Sequence, residues 1–261
     1  MRYFTKTFKP DIIDGDISKI IEDDKTDTPF AAGDILFDWV AVDLPKGTCA
    51  IVDAFVHMFG EDGGDQSEGD FHLLIAKSND GVAPTTLGEE NAVVTGCYEL
   101  PEILMGAMKF EGTSNRVGKL NYAFGSVWMY NTAGNGGALG PLFIEPDVNV
   151  SNTTRGSATQ RIYVAGIAGG AFDFSTGVLA AGNVSDDTAA DTTVKTVDVR
   201  NCFRPGDVVY IHDVDTPIGT ESSLPDATSL ILTANNDGAI SINDELLNAS
   251  PITVTLGFQG R

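Results

Sequence analysis

The sequence predicts an all-β protein: an antiparallel, jelly-roll-like β-sandwich followed by a small SH3-like β-barrel, with one short helix near the N-terminus. Segments in which apolar and polar residues alternate recur along the 261 residues, and glycine- or proline-containing turns separate them. Many short strands with little helix are typical of sandwiches and barrels. We expect the sandwich at residues 1–177, a linker at 178–191 and the barrel at 192–261.

One short helix is predicted after the N-terminal segment. Its apolar face consists of Ile13, Ile17, Ile20 and Ile21. Asp14 or Asp16 can cap its first turn.

The strands of the sandwich begin at Ile35, where apolar residues alternate up to Ala41. Residues 44–47 read Leu-Pro-Lys-Gly, which is typical of a type I turn. The sequence therefore predicts a hairpin whose return strand covers residues 50–59. Further strands are expected at residues 71–77, 127–130, 142–145 and 161–166.

A glycine-rich stretch at residues 166–177 and a polar run at 185–191 mark the expected boundary between the domains. Beyond it, short strands are expected at residues 192–199, 207–213, 218–224, 228–233 and 252–258. So many strands in so short a segment predict a compact barrel.

The charge of the chain limits its partners. Asp and Glu number 37 and Lys and Arg number 16, which gives a net charge of −21. Such a surface repels phosphate backbones and anionic lipid, so we expect neither direct nucleic-acid contact nor membrane binding. The N-terminus has no signal-peptide pattern and the chain has no long apolar stretch, so a protein made in the cytoplasm is expected.

The chain has no motif that indicates catalysis or a cofactor. Serine-hydrolase GxSxG, zinc-protease HExxH, P-loop and Rossmann patterns are all missing. The three histidines, His57, His72 and His212, have no motif partners. The cysteines at 49, 97 and 202 are widely spaced and form no CxxC pair, so we interpret them as small core residues. We therefore expect a protein that is not an enzyme.

An acidic loop is the candidate metal site. It carries Glu61, Asp62, Asp65, Glu68 and Asp70 between two predicted strands. Flexible, acidic, glycine-containing loops supply the oxygen ligands that calcium prefers. The spacing matches no EF-hand, and a solvated hairpin loop is the alternative interpretation.

The first nine residues form a basic, aromatic segment in an acidic chain. It contains Arg2, Tyr3, Phe4, Lys6, Phe8 and Lys9. One interpretation is an arm that adds a strand to the sheet edge of a neighbouring subunit. The other, which we favour, is the first strand of its own domain.

The segments at residues 1–8, 38–48 and 163–177 resemble virion structural proteins of tailed phages that infect marine cyanobacteria. Residues 203–228, with Pro-Gly-Asp at 205–207 and Ile-Gly-Thr at 218–220, resemble a small barrel module found in many phage particle proteins. The resemblance implies a place in the phage particle, without a cofactor or catalytic residues.

The expected function follows from this resemblance. The protein would bind the outer capsid surface and decorate or reinforce the phage head by non-covalent contacts. Its expected partners are the lattice of the major capsid protein and copies of itself, in a homo-oligomer such as a trimer. The alternatives are a neck, tail or fibre component, or a module that binds host glycans through Trp39, Trp128 or Tyr130.

Overall fold

The fold is described from a computed structural model of the chain. The description covers residues 2–12, 30–45, 47–58, 71–79, 81–110, 115–117, 120–128, 141–144, 159–170, 180–185, 192–196, 203–211, 217–224, 226, 228–233, 240–242, 244–250 and 252–260. The predicted helix at Ile13–Ile21 lies outside these residues. A single short helix, α1 (Leu100–Ile103), is present in the described ranges.

Ten strands form one large antiparallel sheet. They are β1 (Arg2–Phe8), β2 (Ile35–Pro45), β3 (Cys49–Met58), β4 (Phe71–Ala76), β5 (Leu104–Phe110), β6 (Asn115–Val117), β7 (Leu120–Trp128), β8 (Leu142–Ile144), β9 (Thr159–Ala168) and the last strand of the chain, β16 (Ile252–Gly260). Hydrogen-bonded neighbours follow the order β1-β16-β3-β7-β5-β4-β9-β2, with β6 beside β7 and β8 beside β3.

The two ends of this sheet pack against a common core. Phe4 and Phe8 at one end and Val40 at the other are partly buried against the same apolar cluster. That cluster includes Val42, Ile51, Val56, Leu73, Ile75, Val164, Val254 and Leu256. Because both ends cover one core, the sheet folds over on itself in a sandwich-like arrangement. The predicted all-β class is confirmed.

The predicted hairpin between the first two long strands is wrong. β2 pairs with β9, where Val40 lies opposite Val164. β3 pairs instead with β16, β7 and β8. The short connection from β2 to β3 therefore joins two strands that are far apart in the order of the sheet. Gly47 has φ of +130°, a conformation that favours glycine.

The last strand, which the sequence places in the small barrel, belongs to the large sheet. β16 lies between β1 and β3, with Phe258 opposite Phe4 and Leu256 opposite Ala54. This pairing corrects the expectation that residues 252–258 complete a separate barrel. Both ends of the described chain thus meet in neighbouring strands.

The remaining strands form two small sheets. They are β10 (Ala180–Asn183), β11 (Thr193–Lys195), β12 (Val208–Ile211), β13 (Gly219–Thr220), β14 (Ser229–Ile231) and β15 (Glu245–Asn248). The orders are β10-β15-β12-β13 and β11-β14, around a core that includes Phe203, Val209 and Leu246. β10 falls within the expected linker at 178–191. In the described part of the chain neither sheet closes, so two open sheets replace the expected SH3-like barrel.

A buried polar junction attaches the small sheets to the large one. Asp207, which precedes β12, has a fully buried side chain and forms an ion pair with Lys9 at the end of β1. The other carboxylate oxygen accepts hydrogen bonds from Asn248 Nδ2 at 2.9 Å and from the Arg204 backbone N–H at 2.7 Å. The junction fixes the end of β1 to the four-stranded small sheet.

Candidate partner-binding edge

The residues predicted to contact a partner lie on an edge strand of the large sheet. Arg2, Tyr3, Phe4, Lys6 and Phe8 belong to β1, and Lys9 follows it. β1 pairs with β16 along its whole length, from Arg2 opposite Gly260 to Phe8 opposite Val254. The segment is therefore the first strand of its own sheet, which is the interpretation that we favoured over an extended arm.

Alternate residues of β1 lie in two different environments, because successive side chains of a strand point to opposite faces. Phe4 and Phe8 contact the core, and Phe4 stacks on Phe258 with ring centroids 5.2 Å apart and 9° between the ring planes. Lys6 lies between them on the same face and is half-buried. The opposite face carries the exposed residues Tyr3, Thr5 and Thr7.

The exposed face of β1 is anchored through Tyr3, which reaches across β16 to β3. The Tyr3 hydroxyl donates a hydrogen bond to the Asp53 carboxylate, with 3.1 Å between the oxygens. Although most of the Tyr3 side chain is exposed, local desolvation of the hydroxyl, followed by this hydrogen bond, raises the pKa of Tyr3. Gly257 of β16 lies between the two residues, and a Cβ there would be only 1.8 Å from Asp53 Oδ1. Glycine at this position is thus what allows the Tyr3–Asp53 contact.

Sequence reasoning did not find the residues that anchor β1. Asp53, Phe258 and Asp207 lie on other strands or turns, and no short-range spacing links them to the N-terminal segment. The one local signal is Gly257, since a glycine inside an apolar strand often marks a close approach.

β2 is the other edge of the sheet, and its first half is covered. Ile35 accepts a backbone hydrogen bond from Asn91 and donates one to Ala92, each at 2.9 Å. The Leu87 N–H donates to Asp38 Oδ1 at 3.1 Å. From Val40 to Pro45, the side of β2 that faces away from β9 has no backbone partner among the described residues.

The free half of β2 carries one exposed ion pair. Arg161 of β9 donates to Asp43 from Nε to Oδ1 at 2.8 Å and from Nη2 to Oδ2 at 3.2 Å. The pKa of Asp43 is lowered, mainly by this hydrogen bonding. Partial burial acts in the opposite direction, and the positive charges of Arg161 and Lys6 lower the pKa further. Because Lys6 acts on Asp43, the two edge strands lie on the same side of the molecule.

The other predicted sites are less informative. The acidic loop with Glu61, Asp62, Asp65, Glu68 and Asp70 lies outside the described residues, as do Cys202 and His212. In the ranges that are described, no three His, Cys, Asp or Glu residues are grouped so that they could hold a metal ion. Cys49 and Cys97 are buried free thiols whose pKa burial raises, which confirms for these two the prediction of core cysteines.

Of the three aromatic residues considered for glycan binding, the structure describes the side chain of Trp39. Trp39 is half-buried, and its Nε1 donates to the Thr85 carbonyl at 3.0 Å. The side chain of Trp128 and the whole of Tyr130 lie outside the description. Tyr98, which the sequence did not single out, is 91% exposed.

Comparison of the chain with protein-family models and with curated protein sequences finds no match. No helix within the described ranges has the length and apolar character needed to cross a membrane. The features that bear on function are therefore the geometry and charge of β1.

Proposed function

We propose that this protein is a structural component of a tailed-phage particle that binds the outer capsid surface and reinforces the head by non-covalent contacts. The observation that carries the proposal is β1, a cationic and aromatic edge strand in a chain with a net charge of −21. The unpaired backbone groups of an edge strand are a template for a partner strand. The resemblance of residues 1–8 to phage particle proteins supports the role, since β1 lies within this segment.

Reinforcement of a shell requires only differential binding. A protein that binds the assembled lattice better than its separate subunits stabilises the assembly by mass action, by about 2.7 kcal/mol when the free protein is at roughly 100 times its Kd. The acidic surface disfavours self-association in solution. A homo-oligomer, such as a trimer, would then form only when the protein is bound to the lattice.

Electron microscopy of labelled protein on separated phage heads and tails tests this role. A C-terminal label is unsuitable, because Gly260 lies opposite Arg2 at the start of the proposed binding edge. Leu224 is 71% exposed and lies in the unit of small sheets, so Leu224→Cys in a Cys202→Ser background provides a better position for a gold-maleimide label. The buried thiols of Cys49 and Cys97 should react slowly.

Label distributed over the head surface is the expected result, together with slower disruption of heads by heat. Label confined to necks, tails or fibres would overturn the capsid role and support the alternative position in the particle. The exposed Tyr98 favours glycan binding as the second candidate, since exposed aromatic rings can stack on sugars. Absence of label from all particles, combined with glycan-array binding that Tyr98→Ala abolishes, would support that candidate instead.

A further inference from the structure

We propose that the outer edge of β1 accepts an extended strand from a partner protein, with an acidic residue opposite Lys6 and apolar residues opposite Phe4 and Phe8. The protein would then receive a strand, whereas an arm that donates one is the interpretation of the sequence that we did not favour. The inference rests on the proposed function for the assumption that the chain has a protein partner. The side chains at the edge indicate which residues the partner strand carries.

The backbone of β1 is suited to receiving a strand. In an antiparallel pair, alternate residues point their N–H and C=O groups away from the neighbouring strand. β16 occupies one side of β1, and no described residue forms a backbone hydrogen bond with the other side. Donation of β1 to a neighbour would break its pairing with β16, the Tyr3–Asp53 hydrogen bond and the Lys9–Asp207 ion pair.

The side chains of β1 define the pattern of the incoming strand. Phe4, Lys6 and Phe8 share one face and are all half-buried, so part of each remains accessible at the edge. Directly opposite residues in neighbouring strands interact, and aromatic–aliphatic and oppositely charged pairs are favourable. The matching strand therefore places an apolar, an acidic and an apolar residue at every second position.

The charge at this side of the molecule supports an acidic partner strand. Lys6 and Arg2 lie on β1, which has no carboxylate. The Asp43 carboxylate on the neighbouring edge already accepts hydrogen bonds from Nε and Nη2 of Arg161. Lysine on an edge strand normally discourages nonspecific pairing. An acidic residue opposite Lys6 converts that penalty into selectivity for one class of strand.

A second copy of this chain fits the edge less well. Pairing β1 with β1 of another molecule would bring together two strands that each carry Arg2 and Lys6 and no carboxylate, which is unfavourable. The net charge of −21 on each molecule adds a general repulsion. We therefore assign the edge to a different protein that carries an acidic, extended segment.

Peptide binding to the full chain tests this assignment. The probe is the peptide Thr-Val-Thr-Glu-Thr-Val-Thr at millimolar concentration, and its partner peptide has Lys in place of Glu. We expect the Glu peptide to shift the backbone amide NMR signals of Arg2–Phe8 and to bind about five-fold more tightly than the Lys peptide. In Lys6→Glu the order of the two affinities should reverse. In the neutral Lys6→Gln variant, which serves if Lys6→Glu does not fold, the two peptides should bind equally.

Lys77→Glu is the matched control, because it makes the same charge change just after β4 and should leave the peptide order unchanged. Equal binding of both peptides to the unmodified protein, an unchanged order in Lys6→Glu, or shifts confined to Val40–Pro45 would overturn the inference. Shifts in β1 that depend on protein concentration without peptide would assign the edge to a second copy. Labelled heads with no peptide effect would leave the particle role intact and refute only the strand pattern.

Discussion

Replacing Lys9 by methionine should destabilise the protein strongly, because it removes the cation that neutralises a buried carboxylate. The Asp207 side chain is fully buried, whereas the Lys9 side chain is 29% exposed. Methionine keeps most of the aliphatic length of lysine, so the substitution removes the charge with little loss of packing. The buried Asp207 would lose its charged partner.

The size of the effect follows from the surroundings of Asp207. Removal of one partner from a buried ion pair typically costs about 3–5 kcal/mol. Water reaches Lys9, and Asn248 and the Arg204 N–H still donate to the carboxylate, so we expect a loss near the lower end, about 3 kcal/mol. With a urea dependence of about 3 kcal/mol per M, the unfolding midpoint would fall by roughly 1 M.

Urea unfolding followed by tryptophan fluorescence measures this loss. The matched control is Arg161→Met, which breaks the exposed Arg161–Asp43 ion pair, half of whose side-chain surface is accessible on each partner. Exposed pairs contribute about 0–1 kcal/mol. The double variant Lys9→Met/Asp207→Asn removes the buried charge as well, so it should recover about 2 kcal/mol of the loss.

Equal midpoint shifts in Lys9→Met and Arg161→Met would refute the reasoning that the junction between β1 and the small sheets stabilises the fold. Additive effects of the Lys9 and Asp207 substitutions would refute it as well, since they would show that the two groups do not interact.

Two further predictions concern single positions elsewhere. A Cβ at Gly96 would lie 2.2 Å from the Thr86 carbonyl oxygen, so Gly96→Ala should lower the free energy of unfolding by about 1–3 kcal/mol. Gly260→Ala is the control and should be nearly neutral, because the nearest contact of a Cβ there is at 3.6 Å. Equal thermal unfolding midpoints for the two variants would contradict this prediction. Burial raises the pKa of Glu221, so its protonated form is favoured in the folded state and its stabilising contribution is lost as the pH rises through that raised value. The unfolding free energy of the unmodified protein relative to Glu221→Gln should therefore decrease from acidic to neutral pH, and a difference that does not change with pH would exclude this role for Glu221.

Local alternation was enough to predict several strands. The strands predicted at 35–41, 50–59 and 252–258 correspond to β2, β3 and β16 over the residues that the structure describes, because a half-buried strand needs only a period of two. The phase within β2 could not be predicted. Its pairing with β9 shifts register between Ile35 and Phe37 and again before Val40, so Ile35, Leu36 and Phe37 are buried in succession.

Pairing between distant strands could not be predicted, since no local pattern records it. Thr7 and Thr255 share a hydrogen bond although they are 248 positions apart. Gly166 ends the strand expected at 161–166 and begins the glycine-rich stretch that is expected to mark the domain boundary, yet it lies inside β9, where a Cβ would be 2.3 Å from the Phe37 ring. Close packing against Phe37 therefore explains why a glycine occupies position 166.

Only part of the candidate edge could be predicted, because its composition is local in the sequence whereas its contacts are with distant residues. The basic and aromatic composition of β1 is visible in the sequence, but its anchoring by Asp53, Phe258 and Asp207 exists only in the folded chain. That anchoring favours an acceptor edge over a flexible arm. A flexible arm would lose conformational entropy on binding, which weakens affinity, whereas an edge held along both faces and at its end is already ordered. A rigid acceptor edge thus leaves the ordering cost to the incoming strand, and it requires that strand to match the fixed positions of Phe4, Lys6 and Phe8.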